Sequence, residues 1–200
     1  RLRARPFGSP RSFGRNDSSD TSDLPRRSPT FCPGCPHRET LSVLKDLDAE
    51  RRNSVSISTE HGHQEAPFLF HGDIGCYSMA FLPPFKTMHN MSGMGLGGAA
   101  GAWADPFVSN PQVVLMGDST FFHSGLLAIS NSIKEKQNIT YIILDNKNTA
   151  MTGHQGTAAS DTNAIGERVP PQEIERVVRS LSPEVEVHRA DSSNRDGYRA

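Results

Sequence analysis

The 200-residue sequence has no apolar run long enough to cross a bilayer: stretches such as Val113 to Met116 and Tyr141 to Leu144 fall far short of the ~20 residues a helical span needs. It also lacks a surplus of either charge, with 21 basic against 22 acidic residues and a net charge of −1, which argues against binding nucleic acid through bulk charge. Cysteine is scarce and odd in number, at three. That argues against a secreted disulfide framework and predicts a reducing, cytoplasmic location. Hydrophobic residues are only 35%, but with the 17 glycines the fraction comes near the roughly 45% of globular chains counted that way. The length suits one domain with a sizeable core. The chain begins at Arg1 and its polar end, Asp191 to Ala200, has no evident stop, which predicts a piece of a longer protein.

Residues 1–30 hold seven Arg, three Asp, six Ser and four Pro, a local charge of +4, with Leu2, Phe7, Phe13 and Leu24 as their large apolar side chains. Such a stretch cannot offset its own ordering entropy and is expected to be a disordered linker or fragment end. Residues 31–190 carry the pattern of a folded domain, and 191–200 read as a polar tail. Leu41, Leu44 and Leu47 recur at helical spacing with Glu39 in the first turn, predicting a helix from about Arg38 to Glu50. Residues 51–65, with His61 and His63, read as a surface loop. Strands are expected at Ala66–Phe70, Gln112–Met116, Ile139–Leu144 and Val185–Val187, and helices at Ser92–Trp103, Phe121–Lys136 and Pro171–Leu181. This alternation implies an α/β domain, a parallel sheet with helices on both faces.

Within it, the β-branched run from Val113 ends in Gly117-Asp118-Ser119-Thr120, and the next strand ends in Asp145-Asn146, with Asn146 standing 28 residues after Asp118. A βαβ crossover brings successive parallel strands to one edge, where such folds bind ligands, so Asp118 and Asn146 converge. A carboxylate, an amide oxygen and a nearby main-chain carbonyl are hard donors that suit Mg²⁺ completed by phosphate oxygens and water. The helix beginning at Ser119 and Thr120 would point free N–H groups at the same place, a seat for a diphosphate. Gly-Asp alone is more often a turn that caps a helix. The strand context on both sides and the second motif, Asp145 to Gln155, lift the pair above that reading.

These blocks resemble a family. Cys32-Pro-Gly-Cys-Pro-His37, Asp73-Ile-Gly-Cys-Tyr77, Gly117-Asp-Ser-Thr-Phe-Phe-His-Ser-Gly125, and Leu144-Asp-Asn followed by Thr149-Ala-Met-Thr-Gly-His-Gln155 are similar, in the same order, to the thiamine diphosphate-binding domain of 2-oxoacid ferredoxin oxidoreductases. The indolepyruvate branch is the nearest, since Ser119 stands where broader thiamine enzymes carry the second glycine of Gly-Asp-Gly. The resemblance implies that Asp118, Asn146 and the main-chain oxygen of Asn148 bind Mg²⁺, and that Ser119, Thr120, Met151 and Thr152 contact thiamine diphosphate. It also implies a polar contact of His37 near the diphosphate and places for His123 and His154 by the substrate carboxylate or thiazolium ring. The implied reaction is oxidative decarboxylation of a 2-oxo acid, an arylpyruvate for this branch, with coenzyme A as acyl acceptor and ferredoxin as electron acceptor. The carboxylate that activates the aminopyrimidine would come from a partner pyrimidine-binding domain or subunit.

Cys32 and Cys35 form a Cys-x-x-Cys that could ligate zinc, form a redox pair or hold iron–sulfur. The resemblance implies that Cys32, Cys35 and Cys76 serve a [4Fe–4S] cluster with a fourth cysteine beyond these residues, or that the sulfurs, Cys76 among them, only shape the cofactor pocket. Gly93-Met-Gly-Leu-Gly-Gly98 matches G-x-G-x-x-G and Asp118 follows 20 residues later, the spacing of a dinucleotide site. Against this, Lys86 to Ser92 make a poor strand, and Gly93, Gly97 and Gly101 recur on one helical face. A non-redox thiamine decarboxylase would share Asp118 and Asn146 without needing the cysteines. A zinc-stabilised binding module is the third alternative.

Overall fold

The computed structural model describes residues 29–59, 66–194 and 197, with only the helical backbone for 54–59. The expected linker at 1–30 falls outside the described residues apart from Pro29 and Thr30, as do His61 and His63. The chain runs through α1 (Pro36–Thr59), β1 (Leu69–Gly72), a 3₁₀ turn (Cys76–Phe81), β2 (Asn90–Met91), α2 (Gly97–Ala104) and β3 (Gln112–Gly117). A helical segment follows as α3 (Asp118–Thr120), a π-helical turn (Phe121–Gly125) and α4 (Leu126–Lys134), then β4 (Ile139–Leu144) and α5 (Ile174–Leu181). The four strands pair in parallel in the order β2-β1-β3-β4.

β3 is the centre of the domain, every residue of it buried. Its side chains alternate between faces, as the strand period of two requires. Leu115 packs with Leu41, Phe31, Tyr77 and Leu144 on the α1 side. Val114 and Met116 pack with Phe121, Ile129 and Val178 on the side of α4 and α5. Helices thus cover both faces, as the alternating pattern implies. The strand order is itself held by a buried polar chain. The Asn90 amide donates to His71 Nδ1 over 2.7 Å, and His71 Nε2 donates to Gln112 Oε1 over 2.7 Å. One side chain from each of β2, β1 and β3 takes part.

The order reverses at β1. The chain leaves it for β2 on one side and returns to β3 on the other, so the carboxyl ends of β1 and β3 flank a topological switch point, the place where open parallel sheets bind ligands.

Several bounds differ from expectation for visible reasons. α1 continues through residues 51–59, where the sequence suggests a loop, supported by an Asp48–Arg52 ion pair of 2.7 Å one turn apart. The small-residue helix starts at Gly97 rather than Ser92, because Gly95 takes φ +82° and breaks the helical path. Among the described residues, Val185–Val187 pairs with no strand; its two valines pack against the α5 side of the core while the Val187 carbonyl accepts from Arg179 Nη2 at 3.1 Å.

α2 lies close to the sheet only because its glycines allow it. A Cβ on Gly97 would stand 2.9 Å from the Gly72 carbonyl carbon, and one on Gly101 would stand 3.1 Å from Val114 Cγ2. The first contact is with backbone, which cannot turn aside. Gly97→Ala is therefore expected to destabilise the fold by about 1–3 kcal/mol, the cost of an overpacked contact, read as an earlier urea midpoint. An unshifted midpoint would mean that α2 moves freely off β1.

Candidate functional site

Gly117 of β3 pairs with Leu144 of β4, so the residues that follow each strand emerge side by side. Asp118 is 1% exposed. Burial raises its carboxyl above the ordinary range, backbone N–H groups of Ser119, Asp118 and Lys147 oppose that shift, and the nearby charge of Asp145 adds to it. On the β4 side, Asn146 Oδ1 accepts the Asn148 N–H at 3.2 Å, and Asn148 Nδ2 donates to the Asn146 carbonyl at 3.1 Å. This interlocked turn leaves Asn148 Oδ1 buried without a partner. Asp118 Oδ2 is likewise buried and unpartnered. Native interiors rarely leave such oxygens unsatisfied. Two of them, Asp118 Oδ2 at the start of the helical segment after β3 and Asn148 Oδ1 on the loop after β4, suit a divalent cation, although the Asn148 oxygen is that of its side chain and not the main-chain oxygen the resemblance implies. The donor set fits Mg²⁺.

Across the switch point, Asp73 follows β1 and is fully buried. Its Oδ2 accepts the N–H groups of Gly95 at 3.1 Å and Gly97 at 3.4 Å, and its Oδ1 accepts the Tyr77 hydroxyl. Tyr77 also meets Thr120 Oγ1 at 3.0 Å. Burial raises the Asp73 carboxyl, against the pull of these three donors, and burial beside Asp73 raises the Tyr77 phenol. Asp73, Tyr77 and Ser124 lie in the blocks that carry the resemblance, but the sequence assigns them no role. Asp73 ends a strand as Asp118 does, and that parallel was the available signal.

The other sequence candidates are distributed around this corner. Ser119 is half-buried and Thr120 buried in the first helical turn. Met151, Thr152 and His154 lie exposed on the loop after Asn148. That loop is closed by a Thr149–Gln155 bridge and by Thr152 Oγ1 donating to Gln155 Oε1 at 2.6 Å. His37 is buried in the first turn of α1, 6.4 Å from the Phe31 ring, and burial lowers its pKa. His123 is exposed on the π turn.

Cys32, Cys35 and Cys76 are free. Burial raises the Cys76 thiol first, and the nearby Cys35 and Cys32 add to it. Among the described residues, however, no group of three His, Cys, Asp or Glu side chains is gathered to hold a metal ion. The dinucleotide reading also loses its geometry: the acid of such a site ends the strand beside the glycine-bearing one, whereas β1 separates β2 from the β3 strand that carries Asp118.

Residues 73–196 match the family described as thiamine pyrophosphate enzyme, C-terminal TPP binding domain. The chain belongs to that family. The TPP-binding domain thus spans both sides of the switch point, from Asp73 through the Asp118 and Asn146 corner. The chain is 32% identical over 165 residues to the indolepyruvate oxidoreductase subunit IorA of Methanothermobacter thermautotrophicus, covering 82% of this chain and 25% of that protein. It is 32% identical over 172 residues to the subunit of that name from Pyrococcus horikoshii, covering 78% and 24%. The chain therefore spans about a quarter of the length of these relatives. Its fold is similar to that of a 2-oxoglutarate:ferredoxin oxidoreductase from Magnetococcus marinus, with TM-score 0.59, 22% identity, and 84% of this chain and 57% of that chain covered.

The buried Asp118 carboxyl makes a stability prediction for the metal-free TPP-binding domain. Its folded-state pKa lies above the unfolded one. Its contribution is thus fully present below the unfolded carboxylate pKa and is lost as pH rises through the raised folded value. Asp118→Asn removes the charge, and at neutral pH is expected to raise metal-free stability by about 1–3 kcal/mol, the scale of an unsatisfied buried group. The gain should vanish at acid pH. Urea titration at both pH values checks this, and a variant less stable than the parent at neutral pH would contradict it.

Proposed function

We propose that this domain carries the diphosphate and Mg²⁺ half of the catalytic site of a 2-oxoacid:ferredoxin oxidoreductase whose substrate is an arylpyruvate such as indolepyruvate. The observation that carries the cation site is the pair of buried, unpartnered oxygens on Asp118 and Asn148. The arylpyruvate and ferredoxin assignments are supported by the names of the relatives. The acyl acceptor would be coenzyme A, with which the Magnetococcus marinus structure is described.

Asp118 would supply the charge that holds the cation, with Asn146 and Asn148 as neutral oxygen donors that are costly to replace because their turn is interlocked. Ser119 and Thr120 stand at the start of the helical segment, where N–H groups and hydroxyls favour phosphate oxygens. Met151 and Thr152 would close over the cofactor from the loop that follows β4. When bound, thiamine diphosphate supplies the carbon nucleophile and the electron sink for loss of carbon dioxide. The protein's own work is to fix the diphosphate end, exclude water beneath Tyr77 and Thr120, and present His37, His123 and His154 near the rim. The carboxylate that activates the aminopyrimidine belongs to a partner domain or subunit. No electron-transfer step is assigned to Cys32, Cys35 or Cys76. The cytoplasmic location expected from the cysteine count belongs to the same proposal; no helix among the described residues is long and apolar enough to cross a membrane.

Calorimetric titration of the full-length protein with thiamine diphosphate, with and without Mg²⁺, tests the reading. Binding is expected to need Mg²⁺ and to be lost in Asp118→Ala. Undiminished binding by that variant, or none by the parent protein, would sink the assignment.

A further inference from the structure

We infer that Ser124 is a positioning residue that holds His123 as its Nδ1–H tautomer, so that the neutral ring offers Nε2 to the substrate as a hydrogen-bond acceptor. The substrate half of this inference rests on the function proposed above; the tautomer does not.

Both residues lie on the π turn Phe121–Gly125, a distortion frequent at functional sites. A serine hydroxyl has one hydrogen to give. Ser124 Oγ stands 3.1 Å from the Met94 carbonyl, which can only accept, so the hydrogen goes there. Its other neighbour is His123 Nδ1 at 2.8 Å. In that bond the hydroxyl must accept, so Nδ1 carries the proton and the neutral ring leaves Nε2 bare. Among the described residues, no hydrogen bond reaches Nε2, and the ring is exposed.

The hydroxyl has little freedom to turn elsewhere. A Cβ built on Gly95 would stand 1.8 Å from Ser124 Oγ, so the side chain is wedged against a turn that only glycine, at φ +82°, allows. From the opposite side, Asp73 holds the Gly95 and Gly97 N–H groups, and Asp73 binds Tyr77, which meets Thr120. His123 is thereby tied to the cofactor corner through hydrogen bonds and one peptide unit. With Nδ1–H committed to Ser124, the ring cannot turn over without losing that bond, so its orientation is fixed. The bare Nε2 then accepts, which suits a hydroxyl, thiol or N–H donor of a substrate.

The test uses full-length protein with ring-¹⁵N histidine, the His123 signals being assigned by their loss in His123→Gln. Under conditions where the ring is neutral, the expected spectrum has a protonated Nδ1 and a bare Nε2. Ser124→Ala should shift the ring towards the opposite tautomer and raise KM for indolepyruvate about tenfold, the value of one hydrogen bond, with thiamine diphosphate affinity unchanged. His123→Gln, which keeps a polar atom at the Nε2 position, should retain more activity than His123→Asn, which keeps one at Nδ1. A parent spectrum with Nε2 protonated would overturn the inference. So would an unmoved tautomer and KM in Ser124→Ala, or an Asn variant better than the Gln variant. If the tautomer is as assigned but the protein binds no thiamine diphosphate, the substrate assignment falls together with the functional reading, while the ring geometry stands.

Discussion

The six-residue parallel ladder between β3 and β4 is the constraint on which the rest depends. Each residue from Gln112 to Gly117 pairs in register with one from Ile139 to Leu144, so the helical segment after Gly117 and the loop after Leu144 begin side by side. A slip of one residue would turn every β3 side chain to the other face. The two hydrophobic clusters forbid this, because Leu115 serves one and Val114 and Met116 the other. Core packing therefore sets the register, and the register sets Asp118 beside the Asn146–Asn148 turn.

The second support is polar and buried. Among the described residues no cation is paired with Asp73; its charge is met by Tyr77 and by two backbone N–H groups. Removing one donor from such a group costs more than the bond itself contributes. The network ties the end of β1 to the Gly95–Gly97 turn and to the first turn after β3. The switch point is thus closed beneath by hydrogen bonds rather than by apolar packing, which leaves polar groups available where a charged cofactor would sit. Ser124 holds the same turn from the other side.

Tolerance of close approach is the third element. Gly97 lies against the Gly72 backbone and Gly98 against Ala128 and Tyr141, so α2 packs against β1, β3 and α4. The apolar stripe of Gly93, Gly97 and Gly101 read from the sequence as one helical face is divided by the structure. Gly97 and Gly101 make the close contacts, while Gly93 belongs to the turn that precedes the helix.

The sequence alone determined the parallel α/β order, the limits of β4, the burial of β3 and the convergence of Asp118 with Asn146. These follow from hydrophobic period and from the geometry of a single crossover, both of which are local along the chain. It did not determine the extension of α1 through residues 51–59, where a polar stretch is held by pairs such as Asp48–Arg52 and by Arg51 over the Phe68 ring. Nor did it reveal that Val185 and Val187 pack on the core without joining the sheet. Only the tertiary structure decided the Asp73–Tyr77–Thr120 network and the donor direction of Ser124. Apart from the Tyr77–Asp73 bond, four positions apart, these bonds join residues 22 to 43 positions apart, and no local periodicity records which distant partner a buried polar group will find.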